Sequence, residues 1–442
     1  MPKDILWMQT TPDAPWIQRR EVTWSRKASE TLVITDQRDQ TISGFGGCFN
    51  ELGWIALGKM SPEARREVLD KLFDADAGCG FTLCRLPVGA NDYARSWYSF
   101  DEVEGDYALE HFSIARDHEA LIPYIRAAQA YAPGMRFFAS PWSPPTWMKF
   151  PMAHNHGTLI WEDRVLKAYA QYLLKFVQAY GEAGIPISQL HVQNEPMSDQ
   201  KFPSCIWTGE QFRQFIAEYL GPLFEREGVD TEIWLGTLNG PETDHRFLHT
   251  TYDQYANLVL SDPDARRYIR GVSYQWAGKY AMQQTHESWP EVALMQTENE
   301  CGDGANTWPY AHYIANLYRH YFANGASAYI YWNMVLEPGG NSTWGWRQNA
   351  MITVDPAADR ITYNPEFYVM KHYSNFIQPG AVRLRTQGHW TGNCVAFENP
   401  DGKRVIVMQN NMPKTRDFTL VDGQTHFTVT AQPFSLNTFV MG

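Results

Sequence analysis

The feature that most constrains the fold is an eightfold alternation of two patterns between residues 41 and 336. Eight short apolar runs recur there: "TISGFGGCFN", "FTLCRLPVGAND", "MRFFASPW", "ISQLHVQNEP", "TEIWLGTLN", "IRGVSYQW", "EVALMQTENE" and "ASAYIYWNMVL". Each is followed by polar or Gly/Pro-rich residues and then by a segment such as "PEARREVLDKLF", where apolar residues return every three or four positions, as on a helix face. Eight near-continuous apolar strands alternating with helices predict a parallel, closed (β/α)8 TIM barrel.

The two ends of the chain have a different pattern. After about residue 380, "NCVAFENPDGKRVIVMQN" and "FTLVDGQTHFTVTA" are strand-like runs joined by Asn-Pro-Asp-Gly and Asp-Gly turns. The N-terminal runs "IQRREVTW" and "TLVITD" also indicate strands. We therefore expect an α/β chain whose barrel spans 41–378, with an additional all-β sandwich at 379–442 that the N-terminal strands of 1–40 complete.

Charge and hydropathy exclude several classes of partner. The net charge of −12 is spread along the chain without a basic cluster, which argues against nucleic acid and against a membrane-surface patch. No window holds 18 consecutive apolar residues, and the N-terminus lacks the apolar core of a signal peptide. We expect no stable membrane insertion and a cytoplasmic location, although a secreted protein after removal of its leader would look the same.

Known motifs for metals and cofactors are absent from the sequence. The cysteines form no Cys-x-x-Cys pair and indicate reduced thiols rather than a disulfide framework or zinc site: Cys48, Cys79, Cys84, Cys205, Cys301 and Cys394. The sequence contains no His-Glu-x-x-His, Gly-x-Ser-x-Gly or Gly-x-Gly-x-x-Gly motif. A zinc protease, a serine hydrolase and a dinucleotide enzyme are therefore disfavoured, and we expect no metal and no cofactor.

Two glutamates stand at the ends of predicted barrel strands. Glu195 ends the fourth run in "QNEP", and Glu298 ends the seventh in "QTENE". Because catalytic residues of such barrels lie at the carboxyl ends of the strands, both side chains are expected in one mouth. Glycoside hydrolysis requires such a pair: one acid for the leaving oxygen and one carboxylate facing the anomeric carbon. The ordinary alternative is that each glutamate is a surface acid.

The seventh run also contains a second candidate, Glu300. The segment "VALMQT" continues into Glu298 as strand, whereas Glu300 lies in the glycine-containing loop "ECGDG". A nucleophile has to be aimed at one carbon atom, and a strand end fixes a side chain better than a loop does. We therefore predict that Glu298 is the reactive group and that Glu300 is a loop acid.

Five contiguous motifs resemble glycoside hydrolase family 30, and within it the glucosylceramidase-like enzymes. They are "GFGGCFNE", "CRLPVGANDYA", "ASPWSPPTWMK", "VQNEPMS" and "YWNMVLEPGG", which occur in order across the whole barrel. The resemblance implies a barrel with a side β-sandwich, retention of the anomeric configuration, Glu195 as the acid/base and Glu298 as the nucleophile.

The same resemblance implies residues that contact the sugar. Asp92 and Trp142 fall on sugar-contacting positions, Asn194 on the residue that holds the 2-hydroxyl, and Trp332 on an aromatic platform. Arg85 falls on the buried base that orients the nucleophile. The alternatives are that Arg85 is a structural ion pair and that the two tryptophans are core residues.

The sequence departs from the family pattern at two places. Gln275, rather than histidine, precedes Trp276 on the sixth strand, which leaves the recognition of the sugar hydroxyls open although both positions remain candidate substrate contacts. Glu300 is an additional acid beside the nucleophile.

These observations predict a retaining β-glycosidase that hydrolyses terminal β-glucosides by double displacement. The two carboxyl groups should lie about 5 to 5.5 Å apart, with pKa values split by their surroundings. The substrate would be a small β-glycoside or an oligosaccharide, with a glycolipid as an open alternative. Other candidates are an endo-β-1,6-glucanase, a family 30 xylosidase, fucosidase or galactanase, and, in a different class, a non-catalytic carbohydrate-binding protein.

Overall fold

A computed structural model describes residues 5–24, 30–240 and 255–442, together with the backbone of the short paired strands Thr243–Asp244 and His249–Thr250. Eight parallel strands close into a barrel in chain order. They are β1 Gly44–Cys48, β2 Leu83–Val88, β3 Arg136–Pro141, β4 Ile187–His191, β5 Glu232–Leu238, β6 Ile269–Gln275, β7 Ala293–Glu298 and β8 Ala326–Asn333. The prediction of a (β/α)8 barrel is confirmed.

Helices surround the barrel and turn their apolar faces towards it. The longest, Asp163–Glu182, buries eleven side chains of one stripe, which is the three- and four-residue spacing seen in the sequence. Besides short 3-10 turns, the other helical segments in the described part of the chain are Glu51–Gly58, Pro62–Phe73, Leu121–Gln129, Gly209–Gln214, Phe215–Leu220, Gly221–Glu227, Ala256–Ser261, Pro263–Arg266, Lys279–Ser288, Trp308–Ala323 and Pro365–Ser374.

The barrel interior is apolar in its lower part, away from the carboxyl ends of the strands, and polar near the mouth at those ends. Its lower part is filled by Leu83, Phe138, Trp234, Met295, Ala328 and Ile330. Because side chains two residues apart point the same way along a strand, the next inward positions on β2, β3 and β8 are Arg85, Ser140 and Trp332. All three are buried. The charged Arg85 therefore lies directly above closely packed apolar side chains, which keep bulk water from reaching it through the lower part of the barrel.

The two ends of the chain form a single ten-stranded sheet that folds over on itself. Its strands, in hydrogen-bonded order, are Ala14–Arg19, Ile5–Thr11, Ser435–Met441, Arg404–Asn410, Cys394–Glu398, Val382–Gln387, Thr31–Thr41, Arg416–Asp422, Thr425–Ala431 and Thr23–Trp24. The rings of Phe418 and Phe439 stack with their centroids 5.6 Å apart. In the order of the sheet, however, four strands lie between the two strands that carry these residues. The sheet thus encloses its own core, as the predicted sandwich requires.

The sandwich differs in detail from the sequence prediction. The run "IQRREVTW" is not one strand, because residues 20–22 separate Ala14–Arg19 from Thr23–Trp24. Three strands were not predicted, namely Ile5–Thr11, Val382–Gln387 and Ser435–Met441. Ile5–Thr11 lies between the neighbouring strand Ala14–Arg19 and Ser435–Met441, so one of its two pairings depends on residues far away in sequence.

Buried polar contacts join the barrel to the sandwich. His372, on the helix Pro365–Ser374, bonds through Nδ1 to Thr438 (2.8 Å) and through Nε2 to Thr10 (2.9 Å). Burial lowers the pKa of His372 to about 3, so the ring is neutral and can serve both partners. Among the described residues, no helix has the length and apolar character needed to cross a bilayer.

Candidate active site

Glu298 ends β7 and forms a buried ion pair with Arg85 of β2. Arg85 Nη1 donates to Glu298 Oε2 at 2.5 Å, and Arg85 has no exposed surface. The strand is not regular up to this point: Tyr274 pairs with Gln296, whereas Gln275 pairs with Glu298, so Thr297 is an extra residue. This bulge turns Glu298 to the inward side already taken by Met295, where simple alternation would have placed Thr297.

Arg85 is held by a fixed set of hydrogen-bond acceptors. Its Nη2 donates to Asn194 Oδ1 at 2.5 Å and to Ser140 Oγ at 2.9 Å. Its guanidinium lies 4.4 Å from the ring centroid of Trp142, in cation–π contact. Because these contacts come from β3 and from the segments that follow β3 and β4, the cation has little freedom to leave Glu298.

Glu195 lies beyond the regular part of its strand. β4 ends at His191, but Glu195 N still donates to Thr237 O at 3.0 Å, so the chain follows β5 to that residue. Glu195 has φ +45°, the left-handed region that non-glycine residues rarely adopt. Ser198 N donates to Glu195 O at 2.9 Å, which helps to hold this strained turn.

A cavity of about 520 Å³ opens at the carboxyl ends of the strands, and both glutamates line it. Of the residues singled out in the sequence, Asp92, Trp142, Asn194, Glu195, Trp276, Glu298 and Glu300 form its wall. The described residues contain no cluster of three or more His, Cys, Asp or Glu side chains arranged to bind a metal. The six cysteines are unpaired thiols.

Three of the predicted site residues lie behind the cavity wall: Arg85, Gln275 and Trp332. Gln275 Nε2 donates to Asn194 Oδ1 at 2.6 Å and to Glu298 Oε2 at 3.2 Å, which places the side chain between the two glutamate-bearing strands. Trp332 is buried against Trp142, with ring centroids 5.5 Å apart. Trp332 therefore supports the ring that lines the cavity, and neither it nor Gln275 is placed as an open substrate contact.

The two glutamates differ in their electrostatic surroundings. Burial raises the pKa of Glu195 to about 8, and the charges of Glu298 and Asp92 add to the shift. Burial also raises the pKa of Glu298, but the Arg85 guanidinium opposes this rise by direct contact. Glu298 is therefore the first of the pair to ionise, and its charge keeps the proton on Glu195.

The raised pKa of Glu195 predicts a cost in stability at alkaline pH. Between its ordinary value of 4.5 and about 8, the folded protein holds a proton that the unfolded chain has lost, so stability falls as pH rises through this range. Removing the charge by Glu195→Gln should raise the melting temperature at pH 8 by about 2 °C relative to the wild type and change little at pH 5. Differential scanning fluorimetry at both pH values tests this; an equal shift at both would contradict it.

The structure also brings in residues that the sequence did not single out. Gln348 Oε1 accepts from Trp332 Nε1 at 2.7 Å, and its Nε2 donates to Asp92 Oδ2 at 3.2 Å. Cys301 Sγ lies 3.8 Å from Glu298 Oε1, and burial raises the pKa of this thiol well above its ordinary value, so it stays protonated. Both residues lie in loops, where no periodic pattern marked them.

The molecule can be classified from this pair of carboxyl groups. A buried arginine favours the ionised form of one carboxyl group, and the other stays protonated near neutral pH. Both groups line one cavity, which also contains aromatic rings, at the mouth of a TIM barrel. Glycosidic bonds are hydrolysed by two carboxyl groups held in this way, and the protein is a glycoside hydrolase.

More specifically, the chain belongs to glycosyl hydrolase family 30. The family's TIM-barrel domain matches residues 42–377, and its beta sandwich domain matches residues 380–439. A relative from Caenorhabditis elegans, putative glucosylceramidase 2, is 31% identical over 397 residues, which is 85% of this chain and 75% of the relative.

Two solved structures are similar over nearly the whole length. SrfJ from Salmonella typhimurium is 27% identical with a TM-score of 0.89, and the match covers 99% of each chain. The endo-beta1,6-glucanase BT3312 is 25% identical with a TM-score of 0.85, covering 99% of this chain and 98% of that one.

Proposed function

We propose that this protein is a retaining β-glycosidase that hydrolyses terminal β-glucosides, with Glu298 as nucleophile and Glu195 as general acid and base. The observation that carries the proposal is the shared cavity: Glu298 is paired with Arg85, while Glu195 has a pKa raised to about 8. A non-catalytic carbohydrate-binding protein would gain nothing from two buried carboxyl groups with opposed preferences for a proton.

The proposed reaction proceeds in two steps, each of which is a displacement at the anomeric carbon. In the first, a Glu298 carboxylate oxygen bonds to the anomeric carbon while the glycosidic bond breaks, and Glu195 gives its proton to the leaving oxygen. In the second, Glu195 takes a proton from water, whose oxygen displaces Glu298 from the anomeric carbon. Two inversions at one carbon leave the configuration of the sugar unchanged.

The configuration of the product tests this proposal directly. The protein is incubated with 4-nitrophenyl β-glucoside, and the anomer of the released glucose is followed by proton NMR before it mutarotates. The expected first product is β-glucose. Release of α-glucose would show inversion and contradict the double displacement.

A second candidate is an endo-β-1,6-glucanase, favoured by the likeness to BT3312 and by the outer cavity wall. Trp346 lines the cavity with 38% of its surface exposed, and its ring lies 5.9 Å from that of Phe202. Such an exposed ring can stack on a further sugar of an oligosaccharide, and an endo-acting enzyme has to bind such sugars on both sides of the bond that it cleaves.

Trp346→Ala separates these two candidates. If the ring binds a second sugar, the variant should lose about tenfold in kcat/KM on β-1,6-linked glucose oligosaccharides, as expected for one stacking contact, and change little on 4-nitrophenyl β-glucoside. The matched control is Trp24→Ala, which removes a comparably exposed ring from the sandwich. Initial rates and product chain lengths are measured together. Release of glucose alone, with both variants equal to the wild type, would favour exo action and exclude a stacking role for Trp346.

A further inference from the structure

The loop after β7 is a wall of the cavity with an unusual backbone. It contributes Glu300, Cys301, Gly302 and Asp303 to the lining. Three residues of the loop have positive φ: Gly302 at +69°, Gly304 at +82° and Asn306 at +50°. Gly302 and Gly304 adopt this region without penalty, whereas Asn306 does so at a cost that its surroundings have to offset.

Asn349, in the loop after β8, forms the hydrogen bonds that fix the backbone of this loop. Its Oδ1 accepts from Gly304 N at 2.9 Å and from Asn306 N at 3.2 Å, and its backbone N donates to Cys301 O at 2.7 Å. A side chain at Gly302 would place its Cβ 2.5 Å from Asn349 Cγ, so the loop packs directly against the amide. One asparagine thus fixes both ends of the loop segment that faces the cavity.

Glu366 fixes the orientation of that amide. It lies in the first turn of the helix Pro365–Ser374, is completely buried, and its Oε2 accepts from Asn349 Nδ2 at 2.9 Å. The bond leaves Asn349 Oδ1 facing the two loop N–H groups, whereas a flipped amide would present its own N–H groups to them. The Tyr331 hydroxyl lies against the same carboxyl group.

A carboxyl group at position 366 carries a free-energy penalty, because it is desolvated by burial. Burial, with a contribution from the nearby Asp303 charge, raises the pKa of Glu366 to about 8, so the group is largely neutral at pH 7. An apolar side chain would fill the site without desolvating polar atoms, but it would offer no acceptor to Asn349. Glu366 does not line the cavity and has no part in the two chemical steps, which leaves the amide as its most direct partner.

We propose that Glu366 and Asn349 act as a positioning pair for the loop 300–306. The pair holds the wall of the substrate cavity in its observed backbone path and keeps the Cys301 thiol against Glu298 Oε1. Its effect on catalysis rests on the function proposed above, but its effect on the loop does not. Neither residue touches the reacting atoms.

The test compares three variants by loop mobility and by kinetics. Glu366→Leu removes the acceptor, Glu366→Gln keeps a neutral acceptor of the same shape, and Lys371→Met removes a buried polar contact to Ala77 O from the same helix without touching the loop. Amide hydrogen exchange is measured for the peptide 299–307, alongside melting temperature, kcat and KM with 4-nitrophenyl β-glucoside.

Glu366→Leu should speed exchange of the Gly304 and Asn306 amides about tenfold and lower kcat/KM about tenfold, because a displaced wall misplaces the substrate. Glu366→Gln should restore both to within about twofold of the wild type, and Lys371→Met should lower the melting temperature without faster loop exchange. Unchanged loop exchange in Glu366→Leu, or faster exchange throughout the protein, would overturn the proposal. If the glucoside is not a substrate, the exchange data still decide.

Discussion

Glu298→Gln should lower kcat on 4-nitrophenyl β-glucoside by about 10⁴-fold or more, because the amide cannot form the covalent glycosyl-enzyme. The side chain keeps its shape, and Arg85 can still donate to the amide oxygen, so the fold should persist. The measurement is nitrophenol release together with intact-protein mass spectrometry. With a slow substrate such as a 2-deoxy-2-fluoro glucoside, the wild type should gain the mass of one sugar and the variant should not.

Glu300→Gln is the matched control, because it makes the same chemical change two residues away on the same cavity wall. It should keep kcat within about tenfold of the wild type, since Glu300 lies past the strand end and is not paired with Arg85. If Glu300→Gln were inactive and Glu298→Gln active, the assignment of the nucleophile would be reversed.

Glu195→Gln should act mainly on the second step when the leaving group is good. Nitrophenolate leaves with little acid assistance, so the first step survives, but the water that frees the sugar has lost its base and kcat should fall about 10³-fold. The glycosyl-enzyme should then accumulate, visible as a burst of nitrophenol. Added azide needs no base and should restore turnover, giving a β-glucosyl azide.

The pH profile gives an independent check on Glu195. With its pKa raised to about 8, the wild type should lose activity as pH rises through that value, because the acid is deprotonated. Activity should also fall at low pH, where Glu298 takes up a proton. In Glu195→Gln the alkaline limb should disappear. An alkaline limb that persists unchanged in this variant would assign it to another group and contradict the acid role.

The barrel could be predicted from the sequence because its strands are buried on both faces and are therefore apolar along their length. These strands alternate with helices whose apolar positions recur every three or four residues. The sequence also indicated that β7 extends to Glu298, and the structure ends the strand at that residue. It did not indicate how Glu298 turns inward. That depends on the bulge at Thr297, which is a property of the pairing between β6 and β7 rather than of either segment alone.

Gln275 and Trp332 illustrate a second limit. Their positions on β6 and β8 were predictable, but whether a side chain lines the cavity or lies behind it depends on what stands in front of it. Gln275 is turned to Asn194 and Glu298, and Trp332 is covered by Trp142. Gln348 and Glu366 were missed because their partners, Asp92 and Asn349, are brought to them only by the closed barrel and its loops.

The pairing of Ile5–Thr11 with Ser435–Met441 has a consequence for biosynthesis. Ile5 lies opposite Met441, so Ile5–Thr11 can be paired on both sides only when the much later segment Ser435–Met441 has also left the ribosome. The last barrel strand, by contrast, ends at Asn333, well before that segment, and domains generally fold as units as they emerge. The sandwich can therefore close only after Ser435–Met441 has left the ribosome. A stalled or C-terminally clipped chain would expose an unpaired strand edge, which can recruit other chains into aggregates.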